Sequence, residues 1–414
     1  MVDIRFRHAA LIALACLAPA AARAAGGVMS GVADFRLAAA DGETSWLAGG
    51  FGKTRLGSGG DGDLKLHAVP AFGELIVQPP LTWNLRATLV LTAQQGPRQP
   101  LDVSEAFVTW KPLPRGPLRL SARAGLFWPP VSLEHEGAGW IVPDMITPSA
   151  INSWIGEEVK MVAAEGTVAR DMGGGRVAAT FALFGFNDTA GTLLAFRGWA
   201  MHDVTAGAFG HRRLPPLNPF MQDVQAPSTR PVDEVDGRLG FYAKLAWSPA
   251  APVSIEAFHY RNRGTPDAVT DRLQWGWDTR FWNVGARVDL GPHTRLLAQA
   301  LTGTTEMGVE EDEHYWVETR YRAAYLRLIR EQGPLTLTGR LDLFGTRERG
   351  SEMGGAESEG GWAATAAASW ALSPHAKLIL EGLRIDSDRG ARARTGLAPS
   401  QRQNQLQAAL RLTL

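Results

Sequence analysis

Ser132, Glu134, His135 and Glu136 fall within five residues of one another and form the densest group of catalytic residue types in the chain. A serine beside a histidine is the core of nucleophilic acyl transfer, with a carboxylate to orient the imidazole. The rest of the chain offers that chemistry little support. There is no Gly-x-Ser-x-Gly elbow and no His-Glu-x-x-His pattern. The nine histidines are scattered, and Cys16 is the only cysteine. Gly173-Gly174-Gly175 lies in a predicted hairpin turn rather than between a strand and a helix, so it implies no phosphate loop. No metal centre, cofactor or enzyme activity follows from these residues.

Arginine is the second set. Lysine stands only at positions 53, 65, 111, 160, 244 and 377, and every other basic residue is an arginine. Arginine combines a fixed charge with a planar donor fork, and basic rings in a passage favour anions. The 42 basic and 42 acidic residues of the chain cancel. That balance gives no basic excess of the kind a nucleic-acid partner requires.

Period-two alternation predicts the elements that hold these side chains. Leu118, Leu120, Ala122, Ala124 and Leu126 share one strand face, and Arg119, Ser121 and Arg123 share the other. Val284, Ala286, Val288 and Leu290 oppose Arg287 and Asp289. Leu335, Leu337, Leu341 and Leu343 oppose Arg340 and Asp342. Such strands meet in pairs at tight turns, among them Pro112 to Pro117, Met172 to Gly175, Ser248 to Pro252, Glu331 to Pro334 and Ser373 to His375. Longer polar or Gly-rich loops join one pair to the next. Seventeen segments can be counted, four of them between Gly31 and Gln95. A closed single-chain barrel has an even number, which predicts 16 strands, with 18 as the alternative. No run of apolar residues is long enough for a membrane-spanning helix.

The two termini point to an envelope protein. Arg5, Arg7 and His8 precede an apolar stretch, Ala9 to Ala22, and Ala22-Arg23-Ala24 fits a small-x-small cleavage site. Residues 1–24 are expected to be a signal peptide, leaving 25–414 as a single barrel domain. Lipidation at Cys16 is the rival reading, but Ala13 lacks the large aliphatic side chain usual there. The chain ends on an alternating strand, with Leu406, Ala408, Leu410, Leu412 and Leu414 on one face. Trp110, Trp247 and Trp370 stand just before tight turns, and Phe127, Trp128 and Phe344 stand at the far ends of return strands. These two sets are expected to form the aromatic girdles at the two membrane interfaces.

Taken together, this pattern resembles the Gram-negative outer-membrane porins over essentially the whole mature chain, without matching a particular subfamily. One departure is that their last residue is usually Phe, where this chain has Leu414. The resemblance implies an all-β fold, a closed antiparallel transmembrane barrel in the bacterial outer membrane with short periplasmic turns and long extracellular loops. It implies passive diffusion of small hydrophilic solutes or ions, with lipopolysaccharide and the barrel-assembly machinery as partners and a homo-oligomer as a possible state. The residues expected to line the pore are Arg119, Arg123, Glu256, Arg287, Asp289, Arg320, Arg322, Arg340 and Asp342, with a mild anion preference. Long loops near 128–156 and 187–236 are rich in apolar residues, and one is expected to fold inward. Glu134, His135, Glu136, Trp140, Asp144 and Trp154 would then form a constriction. Two alternatives are a barrel enzyme acting on lipids through Ser132 and His135 at the rim, and a barrel plugged around an apolar ligand.

Overall fold

The computed structural model describes residues 28–59, 63–97, 99–135 and 137–414. The expected signal peptide and Glu136 lie outside the described residues. Sixteen strands form one closed antiparallel barrel. In chain order they are β1 (Met29–Ala40), β2 (Lys65–Val77), β3 (Leu85–Gln94), β4 (Leu101–Trp110), β5 (Leu118–Phe127), β6 (Met161–Met172), β7 (Gly175–Gly185) and β8 (Gly240–Pro249). They continue with β9 (Val253–Arg261), β10 (Asp278–Asp289), β11 (Thr294–Glu311), β12 (His314–Gln332), β13 (Leu335–Glu348), β14 (Glu359–Ser373), β15 (Ala376–Arg389) and β16 (Ser400–Thr413). Each strand pairs with its sequence neighbours. β16 closes on β1 with Leu410 opposite Phe35, and the Leu414 N–H donates to the Gly31 carbonyl at 3.0 Å. Closure leaves no open edge.

Three strands, not four, precede Gln95. Residues 41–59 belong to an extracellular loop around a short 3-10 turn, Trp46–Ala48. A second difference lies at the top of β11 and β12. The alternation from Thr294 predicts a strand ending at Leu301, but β11 runs on to Glu311; β12 starts at His314, one residue before the Tyr315 that the pattern predicts. They turn through Asp312 and Glu313, both with positive φ, as a two-residue hairpin of that hand requires. Without Gly or Pro, the turn carries no sequence signal. At the opposite end Gly333 has φ +60°, a conformation that costs glycine nothing.

The leucines and valines of the alternating strands point outward and are exposed, including Leu120, Val168, Leu245, Val284, Leu326, Leu341 and Leu406. In water such a belt would drive aggregation. Around a closed barrel it is the lipid-facing band of an outer-membrane protein. Trp110, Trp247 and Trp370 lie on this outer surface beside the short turns. Phe127, Trp128 and Phe344 do not form the second girdle. All three are buried, and Phe127 and Phe344 point into the barrel. Phe344 has the same parity as Arg340 and Asp342, so alternation itself turns it inward. The outward aromatics toward the extracellular end of β10 and β14 are Trp282 and Trp362.

Candidate functional site

The lumen is shaped by two extracellular loops that enter it. The first, residues 128–160 between β5 and β6, contains helix α1 (Ala150–Glu158), whose N-cap Ser149 accepts a hydrogen bond from the Asn152 N–H. It begins against β8, where the Lys244 ammonium donates to the Pro130 carbonyl at 2.7 Å. It then crosses to β11, where the Gln299 amide donates to the Val131 carbonyl at 2.8 Å and accepts from the Leu133 N–H at 3.1 Å. From there it is fastened along β12 to β16. Arg340 donates to the Thr147 and Pro148 carbonyls at 2.7 and 2.9 Å, and Asp342 accepts from the Ala150 N–H at 3.0 Å. Glu381 accepts from the Ile146 and Thr147 N–H groups, and Arg411 donates to the Val142 carbonyl.

Glu134 is the hub of these fastenings. Its carboxylate accepts from the Ser149 hydroxyl and the Asn152 amide, both at 2.6 Å, and lies 3.4 Å from Arg340 and 3.5 Å from Arg327. Burial works to raise its pKa, but Arg340, Arg327 and Ser149 outweigh burial and hold it at about 2. Asp144 pairs with Arg327 and accepts from the Thr338 hydroxyl at 2.5 Å. Trp140 packs on Trp128, and Trp154 on Phe281 and Tyr321. Glu134, Asp144 and Trp154 sit between the loop and the wall, whereas Trp140 packs within the loop on Trp128 and His135. Glu134, Asp144 and Trp154, expected to border a constriction, are thus anchors, since a loop this rich in donors and aromatics satisfies itself against the barrel rather than water.

The second loop, residues 186–239, lies over the first and carries α2 (Thr192–Phe196) and α3 (Pro219–Val224). The two meet at Glu157 and Glu158. Glu157 pairs with Arg197 at 2.6 Å, His202 at 3.0 Å and Arg212 at 3.2 Å. Burial would raise it, but these partners, Arg197 foremost, bring it to about 2. Glu158 accepts from the Leu193 N–H and the Trp154 indole, yet burial dominates and lifts it to about 7. The second loop also reaches the wall. Trp199 donates to the Gly345 carbonyl, Asp203 pairs with Arg36 and Arg55, and Gln94 donates to the Thr205 carbonyl.

The opposite wall, β5 to β10, stays wet toward the periplasmic end. Its charges form a ladder: Asp171 between Arg119 and Arg176, Glu165 with Arg123, Glu256 with Lys244, and Asp289 near Arg287 and Arg295 of β11. Exposure falls going up the wall, from 45 % for the Arg119 side chain to 20 % for Arg123 and 15 % for Lys244. Above them Tyr242, Phe258, Tyr260 and Phe281 are fully buried and stacked. Six ion-paired cations, five on this wall and Arg295 on the adjoining β11, share it with four carboxylates.

Of the residues expected to line the pore, Arg119, Arg123, Glu256, Arg287 and Asp289 lie together on this wall. Arg340 and Asp342 point inward but are buried under the first loop. Arg320 and Arg322 lie outside the barrel altogether. They share the parity of Leu326 and Leu328, and like them they are exposed on the outer face. Sequence reading overlooked Arg176, Lys244 and Arg295, whose parity within their strands matches that of the wet-face residues. It also overlooked the anchors Arg327, Gln299 and Arg411.

The Ser132 hydroxyl does meet His135, at 2.7 Å from Nδ1. The bond spans one turn, and the same hydroxyl accepts the Glu134 N–H at 3.0 Å. Among the described residues Nε2 of His135 is buried without a partner, and no carboxylate orients the ring. The ring stacks on Trp140, and burial lowers its pKa to about 3. The pair has the character of a local turn bond rather than an activated nucleophile.

No family model and no curated protein matches this chain. Solved structures do. The outer-membrane channel DcaP of Acinetobacter baumannii aligns with a TM-score of 0.56 at 10 % identity, over 93 % of this chain and 97 % of that one. OprB of Pseudomonas putida gives 0.54 at 10 % identity over 95 % and 97 %. An anion-selective porin from Comamonas acidovorans gives 0.51 at 12 % identity over 93 % and 98 %. With sixteen strands, an apolar outer belt and a loop-lined lumen, the chain has the fold of the Gram-negative outer-membrane porins.

Proposed function

We propose that the protein is a low-conductance porin through which small hydrophilic solutes or ions diffuse, with a mild preference for anions. The observation that carries this reading is the asymmetric lumen. One wall is sealed by buried fastenings to an inward loop, and the other presents charged groups to water beneath that loop. With Arg295 of the adjoining β11 included, the ion-paired cations of the wet wall exceed the carboxylates by two, and an excess of positive charge in a narrow, low-dielectric passage concentrates anions. One fold neighbour is described as anion-selective, which is consistent with this sign. The two inward loops occupy much of the cross-section, which makes the conductance small.

Planar-bilayer recording is the test. Small, ohmic steps with a reversal potential shifted toward the anion are expected. Absence of steps, together with lipid deacylation that disappears in Ser132→Ala or His135→Ala, would replace the porin with a barrel enzyme. The aromatic stack of Phe184, Tyr242, Tyr260 and Phe281 favours one other reading, a barrel plugged at mid-height. That barrel would give no steps and no hydrolysis, and would retain an apolar molecule through purification.

A further inference from the structure

We infer that the outer surface of β9 to β13 carries a binding site for a phosphorylated glycolipid of the outer leaflet, the lipid A type. The inference starts from the two arginines that alternation turns away from the lumen. Strand register places Arg320 directly opposite Arg347, and Arg322 two residues along β12 from Arg320. All three are exposed on the outer face. The row through Arg320 continues across the strands by direct pairing to Thr304, Arg280 and Arg261. The row below it holds Arg322, Thr302, Trp282 and His259.

Facing arginines on neighbouring strands stand about 5 Å apart at Cβ and repel. The nearby carboxylates are already engaged, Glu306 with Arg280 at 2.9 Å and Glu318 with His314 at 2.9 Å. Arg320, Arg322 and Arg347 have no ion pair or side-chain hydrogen bond among the described residues. Repulsion left standing in this way is relieved by an anion supplied from outside. Their depth fits a lipid phosphate. From Gln332 at the periplasmic end, β12 climbs twelve residues to Arg320, roughly 30 Å at ~3.3 Å per residue and ~40° tilt. The apolar band of such a barrel is about 25 Å tall, so these guanidiniums stand at its upper edge, at headgroup level.

Directly beneath them the wall is hollowed. A groove of about 610 Å³ runs over Ala300 and Ala324 down past Ala257, Ala286 and Ala298 toward Trp247. Small side chains on four adjacent strands make a trough in the lipid-facing surface, where an acyl chain can lie below a phosphate held by Arg320, Arg322 and Arg347. Arginine forks pair with phosphate oxygens in the bidentate manner that suits such a site. Cations at the upper edge and an apolar trough below match a molecule with phosphates at its head and acyl chains beneath it, and the extracellular leaflet is where that molecule is found.

The test uses the full refolded barrel in a neutral detergent, with bound lipid read by native mass spectrometry. The probes are bisphosphorylated lipid A, the same lipid dephosphorylated, and phosphatidylglycerol. Saturable retention of bisphosphorylated lipid A is expected. Retention should be at least tenfold weaker for the dephosphorylated form, for phosphatidylglycerol, and for the triple variant Arg320→Ser, Arg322→Ser, Arg347→Ser. Lipid-free, that variant should keep its heat-modifiable gel shift, because it loses only repulsive charges. Equal retention by the triple variant would overturn the site, as would equal retention of the dephosphorylated lipid. Equal retention of phosphatidylglycerol would overturn the glycolipid assignment. None of these readouts depends on whether the lumen conducts.

Discussion

The two halves of the barrel wall use the same residue type in opposite ways. On β12 to β16, Arg327, Arg340 and Arg411 are buried and hold the inward loop by its carbonyls and carboxylates. On β5 to β10, Arg119, Arg176 and Arg287 stand partly in water, each beside an acid it only partly satisfies. Removing one member of a buried, hydrogen-bonded pair typically costs about 3–5 kcal/mol, whereas exposed pairs contribute roughly 0–1 kcal/mol. The dry wall is therefore where a mutation changes structure, and the wet wall is where a mutation changes selectivity. Arginine content alone says nothing about which role a given residue has.

The largest effect is expected on the dry wall. Arg340→Ala leaves Asp342 without its cation and Glu134 with Arg327 alone, and frees the carbonyls of Thr147 and Pro148. The first inward loop should come loose, giving larger and noisier conductance steps. The temperature at which the barrel loses its compact gel mobility should fall as well. Unchanged step size in Arg340→Ala would show that the loop does not depend on this anchor. Next in size is Arg123→Ala with Lys244→Ala, the two cations at the narrow part of the wet wall, which also donate to the Trp128 and Pro130 carbonyls at the start of the first loop. Removing them abolishes the charge excess, so the reversal potential should move from anion preference to neutral or cationic, most at low salt, where screening is least. Smaller still is Arg119→Ala with Arg287→Ala at the wide periplasmic end. The shift should have the same sign, with no measurable change in stability.

The smallest expected effect is a pH dependence at the junction of the two loops. Burial raises Glu158 to about 7 from an ordinary 4.5. The folded state therefore holds this proton more tightly than the unfolded chain does. The associated stability is fully present below pH 4.5 and is lost as pH rises through 7. Amide exchange in residues 192–199 should accordingly be faster at pH 8 than at pH 6 after correction for intrinsic rates, and Glu158→Gln should remove the difference. Glu134 and His135 work the other way, with pKa values lowered to about 2 and about 3. Their contribution is lost on acidification, from pH 6.5 downward for His135 and from 4.5 downward for Glu134.

Much of the barrel was legible because lipid and water impose a strict parity on each strand. Leu118 to Leu126 could be phased from the sequence, and so Arg119 and Arg123 could be assigned to the lumen side. The same rule, extended upward from Leu326 and Leu328, would have put Arg320 and Arg322 outside. It goes unnoticed where a strand leaves the apolar band and both faces turn polar. The second girdle misleads for a related reason: Phe127 and Phe344 share the parity of inward residues, and phase outranks aromatic type. The anchors were illegible on physical grounds. Glu134 gains its partners from α1, β12 and β13, which only the closed barrel brings together, and nothing local in Gln299 or Arg411 distinguishes a loop clamp from a pore lining.

Where water and ions run can be read directly. Cys16 is the only cysteine and precedes the expected cleavage site, so single cysteines can be placed cleanly. Ala246→Cys on the wet wall beside Lys244 and Ser369→Cys on the dry wall make the decisive pair, each treated in a planar bilayer with a bulky, negatively charged methanethiosulfonate reagent. Modification at 246 is expected to cut the conductance and erase anion preference, while exposure of the 369 variant changes neither. Block at 369 with none at 246 would contradict this, as would the absence of any conductance to block.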